Sequence, residues 1–443
     1  MATVVQIVSQ EETHSRSRWV YSAFPIAIAT GPLGTLVQLY LIQLNGNSLG
    51  TLYGSLASGI FNGVSIPAAL FWGVATDRLH KRRALIALSY GLMGLVLVTF
   101  YLDNTTGGII STYAVFSFVS VASATPLNLL IMETQPKGRW SAAFARLSMM
   151  TSGGNVAGLI LSVVVTGALP QGQGLTIVFI PLGVCGLISA GLAVATIPEP
   201  KFELERETVA RRRPSFFSRL LAAPVFFLNL PRTSDFRRAF RGLRSSLTSY
   251  VPLFYISTIL FYFSSGLFNT SFAPAMEKYS ISTFEILAVF LAGMAVQTLT
   301  FQIAGRYISQ RPLVATSVQG LLLRGWSYVA MGASFLLITG SPFFAPALLF
   351  YPLGAGIAFA LYYTSSNTMI FNIVGRRNAG ASLGVYSTVV GTAAMAGSFV
   401  SGFISVYIGF AVTFVAAGIV LFAAVGIVAR LPRSKSPEDG PHQ

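Results

Sequence analysis

Little in this chain can make or break bonds. Its three histidines, His14, His80 and His442, lie far apart in polar segments, and Cys185 is its only cysteine. No Cys- or His-based metal site, no intrachain disulfide and no Ser/His/Asp arrangement can be drawn from that set, and no cofactor is expected. No G-x-x-x-x-G-K-[S/T] loop is present to cradle phosphate, which argues against an ATP-driven pump. What remains is recognition chemistry: amides, phenols and one guanidinium inside long apolar runs. Gln38 shares a run with Gly31 and Gly34, on one face. Thr125 and Asn128 are three apart, and Tyr363 and Asn367 four apart. Tyr255, Tyr262 and Asn269 recur at intervals of seven. Each of these spacings puts its members on one helical face. Asn62, Asn155 and Gln297 stand near the middle of other runs, and Arg324 is the one charged residue near mid-run. At membrane depth such groups either bond a neighbouring helix or serve a site. Carboxylates avoid the middle of every run: Glu277 and Glu285 lie toward run ends, and Asp103 lies in a connection.

The elements that must position these residues follow from hydropathy. Of 443 residues, 53% are hydrophobic and 10% charged, against about 25% charged in a soluble domain. About 20 apolar residues cross a bilayer as a helix. Twelve such runs are predicted, at 20–44, 50–76, 84–102, 109–133, 141–168, 175–197, 247–275, 281–305, 313–339, 343–374, 379–406 and 408–430. The fold class is therefore all-α: a polytopic membrane protein with twelve transmembrane helices in two pseudo-symmetric six-helix bundles. The domains are a tail (1–19), a first bundle (20–197), a basic linker (198–246), a second bundle (247–430) and a tail (431–443). The polar start followed at once by a long apolar run reads as an uncleaved first span, not a signal peptide. Within the linker, the stretch from Pro214 to Leu221 fits an interfacial helix or a plain connector.

The net charge of +15 is a matter of orientation rather than nucleic-acid binding. With a cytoplasmic N-terminus, 27 of the 29 Lys and Arg residues fall on the cytoplasmic side; Lys278 falls outside and Arg324 within a span. That split follows the positive-inside rule and places both termini in the cytoplasm of a multi-pass protein of the cell membrane, its basic face against anionic headgroups.

Six runs, a basic linker and six more runs form a twofold pattern. The second run ends in Gly73, Asp77, Arg78, Arg82 and Arg83; the eighth ends in Gly305 and Arg306, with Ser309 in the place of the acid. The fifth run carries Gly153, Gly154 and Gly158, and the eleventh Gly391, Ala394, Gly397, Ser401 and Gly402. Small residues let helices approach closely, either for plain packing or as surfaces on which the halves glide.

The stretch from Gly73 to Arg83 resembles the loop motif G-x-x-x-D-R-x-x-x-R-R/K of the major facilitator superfamily, in the loop and on the side where that family carries it. The resemblance implies a secondary transporter moving a small organic solute by alternating access, with efflux as one open direction, and a monomer. A non-transporting receptor or scaffold of the same fold is the alternative. It also implies that spans one, four, seven and ten line the cavity. Gln38, Thr125, Asn128, Tyr262, Asn269, Tyr363 and Asn367 are then the binding candidates, with Asn155, Gln297 and Arg324 behind them. The ninth span is peripheral in the family, so Arg324 either snorkels, pairs with a neighbour, or meets an anionic ligand. The motif implies a conformational latch of Gly73, Asp77, Arg78, Arg82 and Arg83, with Glu133 and Arg139 as nearby partners. Drug-antiporter and sugar-porter signatures are absent. Without a mid-span carboxylate, uniport or exchange is expected, unless protons couple through Glu277 and Glu285. The amide and aromatic character of the candidate cavity suits an uncharged or amphipathic solute.

Overall fold

The computed structural model describes residues 18–79, 81–135, 140–169, 173–198, 251–374 and 379–431. Most of the two tails and nearly all of the basic linker, with its amphipathic stretch, lie outside the described residues.

Among the described residues, twelve helical elements cross the molecule. α1 is broken into Ala23–Thr30 and Leu33–Asn45, because Pro32 has no N–H to continue the ladder. α2 is Asn47–Leu79, α3 Arg82–Leu102, α4 Thr106–Thr134 and α5 Trp140–Ala168. α6 comprises Gln173–Ile177 and Phe179–Thr196. The second half holds α7 (Val251–Lys278), α8 (Thr283–Ser309), α9 (Leu313–Leu337), α11 (Ala379–Tyr407) and α12 (Phe410–Val428). α10 runs Phe344–Tyr351, loosens into a π-helical stretch at Pro352–Ala358, and continues as Phe359–Val374. Pro352 cannot donate there.

Among the described residues, eleven helices are long and apolar enough to span a membrane by length and composition. α7 carries Ser257, Thr258, Ser264, Ser265, Asn269, Thr270 and Ser271; it packs on α11 and α12 and turns a polar face to the centre. Leu95, Val115, Val164, Ile303, Trp326, Leu337 and Phe403 are each at least half exposed. In water so many exposed apolar side chains would drive aggregation; in a bilayer they meet acyl chains.

Within the first half α1 packs on α5 and α6, α2 on α4, and α3 on α4 and α6. The second half repeats this: α7 packs on α11 and α12, and α9 on α10 and α12. Close approach at glycine fixes the equivalent pairs. A side chain on Gly158 would collide with the Ile28 carbonyl of α1, and one on Gly397 with the Phe263 carbonyl of α7. The halves meet along α2 with α11 and along α5 with α8. The small residues of α5 and α11 thus divide by role. Gly154, Gly158 and Gly397 pack within their own halves, whereas Gly153 faces Thr298, Gly391 faces Ser65, and Gly402 faces Ser55 across the boundary.

Candidate functional site: a central cavity with a buried arginine

A cavity of about 360 Å³ lies between the halves. From the first half, α1 presents Gly34, Thr35 and Gln38, α2 presents Ser58, Phe61 and Asn62, and α4 presents Tyr113. Gln38 Nε2 donates to Ser58 Oγ at 3.3 Å, which fixes one amide across α1 and α2. Asn62 Nδ2 donates to the Ser58 carbonyl at 2.9 Å and reaches Ser398 of α11 at 3.4 Å. Thr270 of α7 donates to the same Ser398 hydroxyl at 3.1 Å. Phe61 and Tyr113 stack with centroids 4.4 Å apart.

From the second half come Tyr262, Ser265 and Asn269 of α7, Phe290 and Met294 of α8, Tyr351 and Phe359 of α10, and Arg324 of α9. Asn269 exposes its amide to this space. Arg324 is 2% exposed. Its Nε donates to Tyr328 Oη at 2.7 Å and its Nη2 to Ser265 Oγ at 3.2 Å. Its guanidinium carbon lies 4.8 Å from the Phe261 ring centre and 5.2 Å from that of Phe359. Nη1 has no hydrogen-bond partner, and among the described residues no carboxylate contacts this cation. A buried charge without a counter-ion is costly; aromatic faces and neutral oxygens offset part of that cost.

Of the sequence candidates, Gln38, Tyr262, Asn269 and Arg324 are brought together here, with Asn62 beside them. The snorkelling alternative for Arg324 is corrected: its side chain turns inward, because Ser265 and Tyr328 satisfy it there. Thr125 is buried and Asn128 half-buried, and neither lines the cavity. Asn367 spends its amide on the Tyr363 carbonyl of its own helix at 2.8 Å. Tyr363 packs instead on Phe359 at 5.0 Å and on Phe144 of the other half at 5.3 Å. Gln297 is buried away from the cavity. Asn155 lies in a second chamber of about 360 Å³ within the first half, among α1, α3, α4 and α5. Its amide, suitably oriented, donates to the Ala27 carbonyl at 3.0 Å.

Phe61, Tyr113, Phe290 and Phe359 line the cavity although their sequence context is indistinguishable from that of lipid-facing aromatics. Ser58, Ser265 and Ser398 were equally hidden, since serine in a helix commonly bonds its own backbone.

A third space of about 680 Å³ opens at the end of the molecule carrying the α1–α2 and α7–α8 turns. Glu277 lines it with Gln43, Asn47, Ser280 and Ser282. Glu285 does not form a pair with Glu277. It closes the capping box of α8, accepting from Ser282 N at 2.9 Å and from Ser282 Oγ at 2.7 Å.

In the loop motif, Gly73 is buried beside Trp72, whose Nε1 donates to the Phe118 carbonyl at 3.0 Å. Arg82 is 6% exposed and Arg83 half-buried. The side chains of Asp77, Arg78 and Glu133, and the whole of Arg139, lie outside the described residues.

A family model described as Major Facilitator Superfamily matches residues 19–332 and 254–443. No curated protein matches the sequence. Among solved structures, the human organic anion transporter MFSD10 (TETRAN) superposes with a TM-score of 0.67 at 14% identity, over 94% of this chain and 99% of that one. The xylose transporter XylE from E. coli, in a partially occluded inward-open conformation, gives 0.67 at 12%, over 95% and 97%. A POT family transporter in complex with 5-aminolevulinic acid gives 0.67 at 13%, over 96% of each chain. At these identities the likeness concerns the fold alone.

Proposed function

We propose an organic anion as the cargo of this chain, which belongs to the major facilitator superfamily and is a secondary transporter. One observation carries the reading: Arg324 lines the central cavity as a buried cation with, among the described residues, no carboxylate against it. An arriving carboxylate would offset the unbalanced charge and accept from a planar fork of donors. The donors of Gln38 and Asn269 and the hydroxyl of Tyr262 suit the polar remainder of such a solute. The printed name of MFSD10 agrees in class, but at 14% identity it adds no weight about cargo.

Transport would proceed by alternating access, the halves rocking about the α2–α11 and α5–α8 seams. The basic face would be cytoplasmic, a reading the Lys and Arg distribution supports, and the loop motif after α2 would act as a latch between conformations. Among the described residues no carboxylate lines the cavity, so uniport or anion exchange fits better than proton coupling inside it.

The test compares thermal stabilisation of the purified protein by short carboxylates with stabilisation by the matching neutral amides, and then measures exchange in vesicles. Carboxylates should stabilise and exchange, and R324Q should abolish both effects. Amides acting as well as carboxylates would overturn the anion reading.

A further inference from the structure

Met93 and Arg324 hold equivalent places in the two halves. Each directly precedes the glycine at which the rear helix of its half touches a neighbour. A side chain on Gly183 of α6 would meet the Gly94 carbonyl of α3 at 2.8 Å, and one on Gly418 of α12 would meet the Gly325 carbonyl of α9 at 2.8 Å. The repeat therefore sets a thioether at the back of the first half where it sets a guanidinium at the back of the second.

The surroundings follow the same division. Met93 lines the second chamber with Phe116 and Leu127; Thr30, Ser120, Ser123, Thr151 and Asn155 stand in its wall too, and among the described residues no charged one does. Tyr90 lies there too, buried, its hydroxyl without a hydrogen-bond partner. The chamber and the central cavity share Gly34, Phe61 and Tyr113, so the stacked Phe61–Tyr113 pair stands at their junction. The two adjoining spaces thus divide into one with a cation in its wall and one that is largely apolar, with the unpartnered Tyr90 hydroxyl inside the apolar one.

We propose that the second chamber is an apolar subsite and that the ligand is an amphipathic anion. Its carboxylate lies at Arg324, and its hydrocarbon or aryl body passes the Phe61–Tyr113 pair to rest beside Met93. The assignment rests on the anion reading given above. A methionine suits the role, since its flexible, polarisable side chain fills irregular apolar space.

The test titrates butyrate, hexanoate, octanoate and octanamide onto the full chain in lipid nanodiscs. R324Q discs report partition into lipid. Octanoate should bind more tightly than butyrate, by about threefold to fourfold for each added methylene that reaches the chamber. M93Q, which sets an amide in the apolar end, and S123F, which fills the chamber from α4, should each shrink the octanoate-to-butyrate ratio by about tenfold. If one variant fails to fold, the other still reads the ratio. Octanoate binding no more tightly than butyrate, or an unaltered ratio in the folded variants, would overturn the subsite while leaving the anion reading intact. Octanamide matching octanoate would instead remove the anion reading, and this proposal with it.

Discussion

Arg324 Nε donates to the hydroxyl of Tyr328, one turn along α9, at 2.7 Å, and the Tyr328 ring lies flat on Phe268 with centroids 3.8 Å apart. A rigid aromatic stack on α7 therefore aims the cation of α9. The Tyr328→Phe variant keeps the stack and removes the acceptor. Carboxylate affinity should fall about tenfold, in line with about 1 kcal/mol for a typical hydrogen bond and more for one to a charged group. Titration calorimetry measures it, and wild-type affinity would show that the hydroxyl does not orient the guanidinium.

Arg324 itself should contribute nothing to stability in the absence of cargo. Its charge is buried with no counter-ion among the described residues, so its removal lifts a desolvation cost larger than that of the one neutral hydroxyl, Tyr328, that it leaves unpaired. The apparent Tm of unliganded R324Q should equal or exceed that of the wild type, while stabilisation by carboxylates disappears. R324K should fall between the two in affinity, since it keeps the charge and loses the fork. A large drop in Tm for R324Q would mean that the arginine is structural.

Gly158 and Gly167 lie on the same helix with opposite requirements. A side chain at Gly158 meets the Ile28 carbonyl, whereas nothing stands within 4 Å of one at Gly167. Gly158→Val should destabilise by about 1–3 kcal/mol through overpacking, and Gly167→Ala should be neutral or slightly stabilising. Thermal unfolding followed by fluorescence separates them; equal Tm values would contradict the tight α1–α5 seam.

Ser55 and Gly402 face each other across the two halves, and a Cβ on Gly402 would lie 2.6 Å from the Ser55 Cβ. Disulfides want about 3.5–4.5 Å between those atoms, so a bridge needs the helices to part by about 1 Å. In a Cys185→Ala background, S55C/G402C should crosslink under mild oxidant and stop exchange, with activity restored by reductant. Full flux through the crosslinked protein would exclude rocking about this seam.

Ser282 and Glu285 form a helix cap, and their variants should behave accordingly. Ser282→Ala should cost about 1 kcal/mol of stability. Glu285→Gln should leave the response of uptake to a proton gradient as it is in the wild type, because its carboxylate is committed to the cap of α8. Altered proton dependence in that variant would reinstate it as a coupling group.

The amino-acid sequence alone determined where the chain crosses the bilayer. Runs predicted at 84–102, 141–168 and 313–339 correspond to Arg82–Leu102, Trp140–Ala168 and Leu313–Leu337, because bilayer thickness sets a minimum length that hydropathy reveals locally. The loop motif after α2 was also legible in residue types, whereas the break at Pro32 and the π-helical stretch after Pro352 were not, since Pro67, Pro126 and Pro274 sit inside continuous helices. Only tertiary structure decided which way a mid-span side chain turns. Arg324, on a helix expected at the periphery, reaches inward because Ser265 on another helix accepts from it. Asn367, on a helix expected to line the cavity, bonds its own backbone. In an all-round apolar helix no polar face marks the inward side, so the direction of a lone polar group depends on neighbours remote in sequence. For the same reason Phe61 and Tyr113 read as membrane-facing aromatics until the repeat folds and sets their rings against each other at the centre of the molecule.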